Sequence, residues 1–328
     1  MTSGARWVVV GYGMGAHHAR LINEVEGLSV YGVCDVSAAQ TERAERDLPG
    51  VRTWPDCARM LADPDVDGVS IVTPHSTHAE LAVAALDAGK HVITDKAMCL
   101  TVREARQMIA ARDRSGTLLS TFHNRRWDSD FLTVRQVIAD GLIGKPYHIE
   151  SCVTYHGSPG GWRQDRDQMG GWLYDWGAHT LDQTLQLVGA RPERVYAFTH
   201  HRRGSTATVE DYIHCSVAFA DGTTAVTVIG YLNKLPMSRW YVIGDRGALR
   251  ADDFERPLQV RTTLGSVEAD VSVPLLKGEW RSFYQNVADV LAGRAELAVR
   301  PEQLVPQIAV AEAAYRSARS GQAQAVVY

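Results

Sequence analysis

Short apolar runs alternate with segments of helical periodicity over the first 125 residues of the chain. Continuous apolar runs are typical of strands buried on both faces of a parallel sheet. The predicted strands are residues 7–10, 28–34, 68–72, 91–94 and 117–122. Helical spacing of apolar residues follows at residues 18–22, 58–61, 78–88 and 101–112. This alternation predicts an α/β domain with a doubly wound parallel sheet of the Rossmann type.

The pattern changes after residue 125, where one helix at residues 132–139 precedes a long series of strand-like segments. These segments are residues 147–156, 194–202, 211–219, 223–231, 239–243, 248–250 and 258–263, and helices return at 283–291 and 303–317. Strands joined by hairpin turns with few helices between them predict a large, mostly antiparallel open sheet. We therefore expect an α+β domain over residues 126–328, after a first domain over residues 1–125.

Composition narrows the class of protein. Hydrophobic residues make up 45% of the 328 residues, and the formal net charge of -4 gives no electrostatic reason to expect nucleic acid or an anionic membrane as a partner. The five cysteines are scattered without a CxxC pair, which favours a reducing compartment and no metal site. Neither a membrane-spanning run nor a signal peptide is expected, so we predict a cytoplasmic protein.

A glycine turn joins the first predicted strand to the first predicted helix. It reads Gly11, Tyr12, Gly13, Met14, Gly15, Ala16, which is a GxGxxA pattern. Gly11 permits the tight turn, Gly13 lets the backbone approach a pyrophosphate, and Ala16 keeps the helix close to the sheet. Because the turn has the required strand before it and helix after it, it predicts a dinucleotide site at the helix N-terminus.

Asp35 ends the second predicted strand, at about the distance from the glycine turn where the fingerprint expects an acid that binds a ribose hydroxyl. A carboxylate there would repel a 2′-phosphate. The position favours NAD as the cofactor, with NADP as the alternative. If the fingerprint does not apply, Asp35 is a solvated turn residue.

The stretch from Gly170 to Asp182 carries the candidate acid–base chemistry. Asp175 and His179 are four residues apart, so they share a face if both lie on a helix. A histidine titrates near neutral pH, and a neighbouring carboxylate orients the imidazole and stabilises its charged form, as proton transfer requires. The alternative is a helix-start histidine with an incidental acidic neighbour.

Over most of its length the chain resembles the Gfo/Idh/MocA family of glucose–fructose oxidoreductase and inositol dehydrogenase-like enzymes. The resemblance rests on the glycine turn, the segment from Thr73 to Val92, the Asp95-Lys96 pair where the family has Glu-Lys-Pro, and the pattern GGxLxDxGxHxxD at residues 170–182. It implies catalytic roles for Lys96, Asp175 and His179. Ala97 replaces the family's proline, and a cis peptide bond is not expected there because it costs about 3 kcal/mol without proline.

The resemblance and the strand ends together define the candidate site. The cofactor set adds Thr73, Pro74, His78, Asp95 and Lys96 to the glycine turn and Asp35. Lys96 ends a strand on the edge where the dinucleotide is expected, although a surface lysine paired with Asp95 would occupy the same position. The predicted substrate-binding residues are Lys96, His123, Asn124, Trp162, Arg163, Asp175 and His179.

The sequence thus predicts an NAD-dependent dehydrogenase that oxidises a secondary alcohol of a sugar, a sugar derivative or a cyclitol. In this interpretation His179 is the general base, with Asp175 and Lys96 beside it. Residues 126–328 bind the substrate, and the resemblance implies a homodimer or homotetramer formed through their sheet. Two alternatives remain: an NADPH-dependent reductase of keto sugars, and a catalytically silent dinucleotide-binding regulator.

Overall fold

The computed structural model describes residues 4–157 and 160–328. The chain divides into two compact units, the first formed by Met1–Asn124 with Trp280–Val305, the second by Arg125–Glu279 with Pro306–Tyr328. The sequence pattern predicts a second domain over all of residues 126–328, whereas Trp280–Val305 belong to the first unit. This segment returns to the first unit through contacts between residues far apart in the sequence, which a local hydrophobic pattern does not reveal.

The first unit contains a parallel sheet, which confirms the predicted doubly wound fold. Its strands are β1 (Ala5–Val10), β2 (Leu28–Cys34), β3 (Arg52–Trp54), β4 (Gly68–Ile71), β5 (His91–Thr94) and β6 (Leu119–Thr121), in the spatial order β3-β2-β1-β4-β5-β6. The helices are α1 (Tyr12–Asn23), α2 (Ala38–Asp47), α3 (Cys57–Leu61), α4 (His78–Asp87) and α5 (Val102–Ser115). The order reverses between β1 and β4, which is where such sheets bind dinucleotides.

Burial explains why these strands occupy the centre of the sheet. Every residue of β4 is buried, and Trp7, Val8 and Val9 of β1 are fully inaccessible. Because β1, β2, β4 and β5 run in parallel, the residues after their last positions meet at one edge. Gly11, Asp35, Thr73 and Asp95 stand at or just beyond that edge.

The second unit contains a larger, mixed sheet that is mostly antiparallel, as predicted. Its strands are β7 (Pro146–Thr154), β8 (Pro192–His200), β9 (Tyr212–Phe219), β10 (Thr224–Gly230), β11 (Trp240–Gly244), β12 (Gly247–Ala251), β13 (Leu258–Leu264), β14 (Val267–Val273) and β15 (Gln324–Ala325). The spatial order is β14-β13-β12-β11-β7-β10-β9-β8-β15. Strands β7 and β10 pair in parallel, and the other neighbouring strands pair antiparallel.

The remaining helices are α6 (Ser129–Ala139), α7 (Arg166–Met169), α8 (Trp176–Val188), α9 (Arg281–Leu291) and α10 (Val305–Ser320). Helix α8 packs on β7 and β10 and ends at Gly189, whose φ of 68° is the left-handed conformation common at helix C-termini. Helix α9 contributes Phe283 and Tyr284 to the core of the first unit. None of the helices in the described part of the chain combines the length and the apolar composition that crossing a membrane requires.

Five elements lie outside the predicted ones: α2, β3, α7, β14 and β15. Ala44 is the buried residue of α2, and β14 alternates between exposed and half-buried positions. Elements that bury so little apolar surface show only a weak hydrophobic periodicity. Because the sequence prediction rests on that periodicity, it does not detect them.

Candidate active site

The glycine turn between β1 and α1 has the geometry that a dinucleotide needs. Gly11 adopts φ +89°, and a Cβ there would lie 2.8 Å from the carbonyl oxygen of Val72. A Cβ on Gly13 would meet no atom within 4 Å, so this side of the turn is open to a ligand. Gly15 also lets α1 lie close to the sheet, because a Cβ there would lie 2.5 Å from a side-chain carbon of Val9. The role predicted for the half-buried Ala16 stays a prediction.

Asp35 lies beside this turn at the end of β2. One of its carboxylate oxygens accepts the backbone N–H of Tyr12 at 2.7 Å, and the other accepts that of Ser37 at 2.8 Å. A carboxylate offers about four lone-pair positions, so these two bonds fix its orientation and leave capacity for a hydroxyl donor. The open Gly13, the start of α1 and the oriented acid together fit a dinucleotide.

The peptide bond between Lys96 and Ala97 is cis, so the expectation of a trans bond was wrong. That expectation weighed only the local cost of the bond, whereas the residues around it are fixed by tertiary contacts. The side chain of His78 bridges two carbonyl oxygens, with Nδ1 2.7 Å from that of Ala97 and Nε2 2.9 Å from that of Thr73. Ala97 and His78 are fully buried. His78 thus ties the segment after β5 to the segment after β4.

A chain of buried polar groups leads to Asp95, the neighbour of Lys96. The hydroxyl of Tyr284 lies 2.9 Å from the hydroxyl of Ser70 and 2.7 Å from Nδ1 of His18. On the other side of the ring, Nε2 of His18 lies 3.8 Å from a carboxylate oxygen of Asp95. Burial opposes ionisation of Asp95, but His18 and Lys96 hold the pKa of its carboxyl below the usual value. Burial lowers the pKa of His18 to about 4.

His123 and Asn124, predicted to bind substrate, follow β6 and are almost fully buried within the first unit. The polar groups that sequence reasoning missed in this unit are Ser70, His18 and Tyr284. Tyr284 belongs to the segment that returns from far along the chain, so no local pattern connects it with Asp95. His18 lies two residues after the glycine turn, and its position on the buried face of α1 could have identified it.

In the second unit, the segment before α8 is held by a buried glutamate. Glu210 accepts the backbone N–H of Trp172 at 2.9 Å and the hydroxyl of Tyr315 at 2.6 Å, and it pairs with Arg166 at 2.5 Å. The same Tyr315 hydroxyl accepts the N–H of Leu173 at 3.1 Å. These side chains fix the backbone of the GGxLxD pattern, and none of them was singled out from the sequence.

Asp175 and His179 lie at the start of α8. The helix begins at Trp176, so Asp175 is its N-cap residue rather than a residue of the helix. Asp175 and His179 are each only 4% exposed. Nε of Arg163 lies 3.3 Å from a carboxylate oxygen of Asp175, and the Arg163 guanidinium lies over the ring of Trp162 at 4.6 Å from its centroid. Arg163 therefore balances the charge of a buried acid.

Trp176, the first residue of α8, is surrounded by aromatic and charged groups. Its ring lies 6.2 Å from that of His179 and 4.3 Å from the guanidinium carbon of Arg125. A cavity of about 380 Å³ in the second unit is also lined by Trp176, together with Arg239 and Phe254. Rings beside hydrogen-bonding groups suit a ligand with apolar faces and a hydroxyl rim.

A buried ion pair between Arg126 and Asp182 holds the C-terminal end of the motif at residues 170–182. Nε and Nη2 of Arg126 donate to the two carboxylate oxygens of Asp182 at 2.8 and 2.6 Å. The side-chain amide of Gln183 donates to the carbonyl oxygen of Arg125 at 2.7 Å. Asp182, the last residue of the sequence motif, is thus held by Arg126 and anchors α8.

Two family models match the chain. The model for an oxidoreductase family with an NAD-binding Rossmann fold matches residues 5–123, and the model for the GFO/IDH/MocA C-terminal domain matches residues 131–250. These matches, which cover the glycine turn and the Asp175–His179 segment, confirm the predicted fold class, the family resemblance and the nicotinamide cofactor.

Similar proteins cover most of the chain. The scyllo-inositol 2-dehydrogenase (NADP(+)) IolW of Bacillus subtilis is 29% identical over 95% of this chain and 93% of its own. The 1,5-anhydro-D-fructose reductase of Ensifer adhaerens is 28% identical over 80% and 81%. Among solved structures, an NAD-binding protein from Listeria innocua superposes with a TM-score of 0.92 at 30% identity, over 98% of this chain and 99% of that one.

Proposed function

Because the chain belongs to the GFO/IDH/MocA oxidoreductase family, we propose that it oxidises a secondary alcohol of a sugar, a sugar derivative or a cyclitol with NAD. Membership in the family and its NAD-binding domain make the protein an NAD(P)-dependent oxidoreductase. The observation that carries the finer proposal is the arrangement at α8, where a buried acid balanced by Arg163 stands at the helix start and the buried His179 lies in its first turns.

His179 is the general base of this proposal. It takes the proton of the substrate hydroxyl, and the negative charge of Asp175 stabilises the imidazolium that results. Lys96 donates a hydrogen bond to the reacting oxygen and stabilises the negative charge that develops there. A bound nicotinamide would supply the hydride acceptor for the carbon that carries this oxygen. Removal of the proton and of the hydride from one alcohol gives a ketone.

Asp35 supports NAD as the preferred cofactor, because its oriented carboxylate at the end of β2 would repel a 2′-phosphate. The NADP-dependent relative from Bacillus subtilis makes this preference worth measuring directly. Titration of the protein with NAD and NADP should give tighter binding of NAD. Tighter binding of NADP would contradict the role of Asp35.

The substrate class rests on the side chains near α8 and on the relatives. Trp162, Arg163 and Trp176 combine ring faces with a guanidinium, as expected of a site for polyhydroxylated rings. The named relatives act on scyllo-inositol and 1,5-anhydro-D-fructose. A screen of cyclitols and sugars with NAD and NADP, in which formation of the reduced nicotinamide is followed, tests the proposal. Turnover of none of them, by a folded protein that binds NAD, would contradict it.

The reductase direction is a second candidate, favoured by the similarity to 1,5-anhydro-D-fructose reductase. It uses the same residues in reverse, with His179 as the proton donor. Oxidation of NADPH by keto sugars, at rates above those of the forward reaction with NAD, would favour this direction. One set of assays, with NAD and alcohols in some and NADPH and keto sugars in others, therefore distinguishes oxidation from reduction.

We also propose that copies of the chain associate through the open face of the second sheet. The strand registers place Tyr196, Ser216, Val226, Glu150 and Tyr241 in one row across five neighbouring strands. Two large aromatic residues of this row are substantially exposed, Tyr196 at 45% and Tyr241 at 38%. Sedimentation analysis should show a dimer or tetramer, and Tyr196→Glu should shift it toward the monomer. The cytoplasmic location stays a prediction.

A further inference from the structure

Two thiols meet at the edge of the first sheet. Sγ of Cys34, the last residue of β2, lies 3.8 Å from Sγ of Cys57, the first residue of α3. All five cysteines of the chain carry thiols in this structure. Cys34 is buried and Cys57 is half-buried, so an oxidant reaches the pair from the Cys57 side.

We propose that Cys34 and Cys57 form an oxidisable dithiol, which peroxide converts to a reversible disulfide that weakens dinucleotide binding. The second part of this inference rests on the proposed function, because it uses the role of Asp35. The first part concerns only the two sulfur atoms and the residues around them.

The sulfur atoms are close enough for side-chain rotation and a small shift of α3 to join them. A disulfide holds its sulfur atoms about 2.05 Å apart, so the present separation has to shorten by nearly half. Cys57 begins a short helix that is connected to β3 by two residues, Pro55 and Asp56, whereas Cys34 is fixed within the sheet. Most of the movement is therefore expected on the Cys57 side, with a smaller displacement of Cys34 toward α3.

Cys57 is the thiol that reacts first with the oxidant. The hydrogen bond from Cys34 lowers the pKa of Cys57, and the same bond, together with burial, raises the pKa of Cys34. Thiolates, not thiols, attack peroxides. The acidic neighbours Asp35 and Asp56 also raise the pKa of Cys34. Burial and Asp56 act in the same direction on Cys57, but the hydrogen bond from Cys34 outweighs them. The less buried member of the pair is thus also the one that ionises more readily.

The chemical step balances with hydrogen peroxide as the oxidant. The Cys57 thiolate attacks one peroxide oxygen, the O–O bond breaks, and a sulfenic acid and hydroxide form. Cys34 then loses its proton to that hydroxide, which becomes the first water, and its sulfur attacks the sulfenic sulfur. The second oxygen leaves as hydroxide and takes up the proton that Cys57 released to solvent when it ionised, which gives the second water. The two sulfur atoms together lose two electrons, and one peroxide molecule becomes two molecules of water.

The link to the cofactor is the backbone of the last residues of β2. The carbonyl oxygen of Cys34 accepts the N–H of Gly11 at 2.8 Å, and the carboxylate of Asp35 accepts the N–H of Tyr12 at 2.7 Å. A crosslink that pulls Cys34 toward α3 strains both bonds at the glycine turn. We expect NAD to bind about tenfold more weakly to the oxidised protein, which corresponds to about 1.4 kcal/mol.

The experiment treats the full-length protein with a small excess of hydrogen peroxide and maps its peptides without reduction. The expected result is a Cys34–Cys57 crosslinked peptide, the loss of two alkylatable thiols, and their recovery with dithiothreitol. Cys57→Ser should give no crosslink, whereas Cys215→Ser, which removes a buried thiol of the second unit, should leave it unchanged. Oxidation of Cys57 to the sulfinic acid while Cys34 remains alkylatable would overturn the proposal.

Titration with NAD before and after oxidation tests the second part. A weaker affinity that dithiothreitol restores supports it, and an unchanged affinity in protein with a mapped crosslink overturns it. If the reduced protein fails to bind NAD, the proposed function is at fault, while the peptide map still decides whether the dithiol exists. Cys57→Ser provides the matched control, because peroxide should not change its affinity for NAD.

Discussion

Nε of Arg163 lies 3.3 Å from the carboxylate of Asp175, and that carboxylate belongs to a residue only 4% exposed. A buried charge that loses its partner is costly, so a large effect is expected when one member is removed. The pair defines Arg163 as a residue that positions and neutralises the acid at the start of α8. From the sequence alone, Arg163 is predicted only as a substrate-binding residue.

Arg163→Met should lower kcat by about 10- to 100-fold, the loss expected when a hydrogen bond to a charged group is removed. Arg163→Lys keeps the positive charge and should recover part of the activity. Steady-state kinetics of both variants check this. An increase in KM with unchanged kcat for Arg163→Met would show that Arg163 binds substrate and does not position Asp175.

His179→Ala should lower turnover by roughly 10²–10⁴-fold, the usual contribution of a general base. The affinity for NAD should stay nearly unchanged, because the glycine turn and Asp35 belong to the first unit and His179 to the second. Stopped-flow turnover and a cofactor titration on the same preparation separate the two effects. Turnover close to that of the wild type would remove His179 from the mechanism, and loss of NAD binding would make its role structural.

Lys96→Met should abolish most turnover, because a thioether of similar length cannot donate a hydrogen bond to a developing alkoxide. The matched control is Lys277→Met, which alters a lysine whose side chain is 84% exposed and should leave turnover unchanged. The measurement is kcat for each variant with the substrate found in the screen. An active Lys96→Met enzyme would contradict the proposed role of the lysine.

Gly171→Ala should destabilise the second unit by at least about 2 kcal/mol, the cost of forcing atoms into a packed site. Gly171 adopts φ +123°, and a Cβ there would lie 2.1 Å from the hydroxyl oxygen of Tyr315. Gly160→Ala is the control, since a Cβ at Gly160 meets no atom within 4 Å and its φ of -115° suits any residue. Urea unfolding compares the two variants; equal midpoints would show that the segment adapts to the added methyl group.

The features of the fold and the candidate site that the sequence predicts are those encoded in a short, local stretch of residues. The alternation of apolar runs with helical periods indicated the doubly wound sheet, and the glycine turn with Asp35 indicated the dinucleotide edge. The motif at residues 170–182 drew attention to Asp175 and His179 because both lie within one short segment. In each case the chemistry and the structural context are adjacent in the sequence.

The features that were not predicted depend on residues far apart in the chain. Glu210 and Tyr315 hold the segment before α8, although they lie far from Trp172 in sequence. Tyr284 reaches His18 because α9 returns to the first unit. Ala97 illustrates the same limit, since its carbonyl oxygen meets the ring of His78, 19 residues earlier in the chain. Contacts of this kind appear only when the chain is folded.

The pH dependence of stability should reflect His18, a buried histidine on α1. Burial lowers its pKa from 6.5 to about 4 in the folded protein; the charge of Asp95 opposes this shift, and His17 and His78 add to it. Below pH 6.5 the unfolded chain therefore takes up a proton that the folded protein accepts only near pH 4. The free energy of unfolding should fall as the pH is lowered through this window, and His18 should contribute nothing to its pH dependence above it.

The contribution of His18 to this loss is on the order of 3 kcal/mol, from about 1.4 kcal/mol per pKa unit. His18→Asn removes the titrating group and keeps an amide near the position of Nδ1, where it can bond the Tyr284 hydroxyl. Urea unfolding of the variant between pH 6.5 and 4 should show a shallower decline than the wild type, while His200→Asn, at an exposed position, should follow the wild type. Parallel curves for His18→Asn and the wild type would mean that His18 is protonated equally in the folded and unfolded states, which would contradict its burial as a neutral ring.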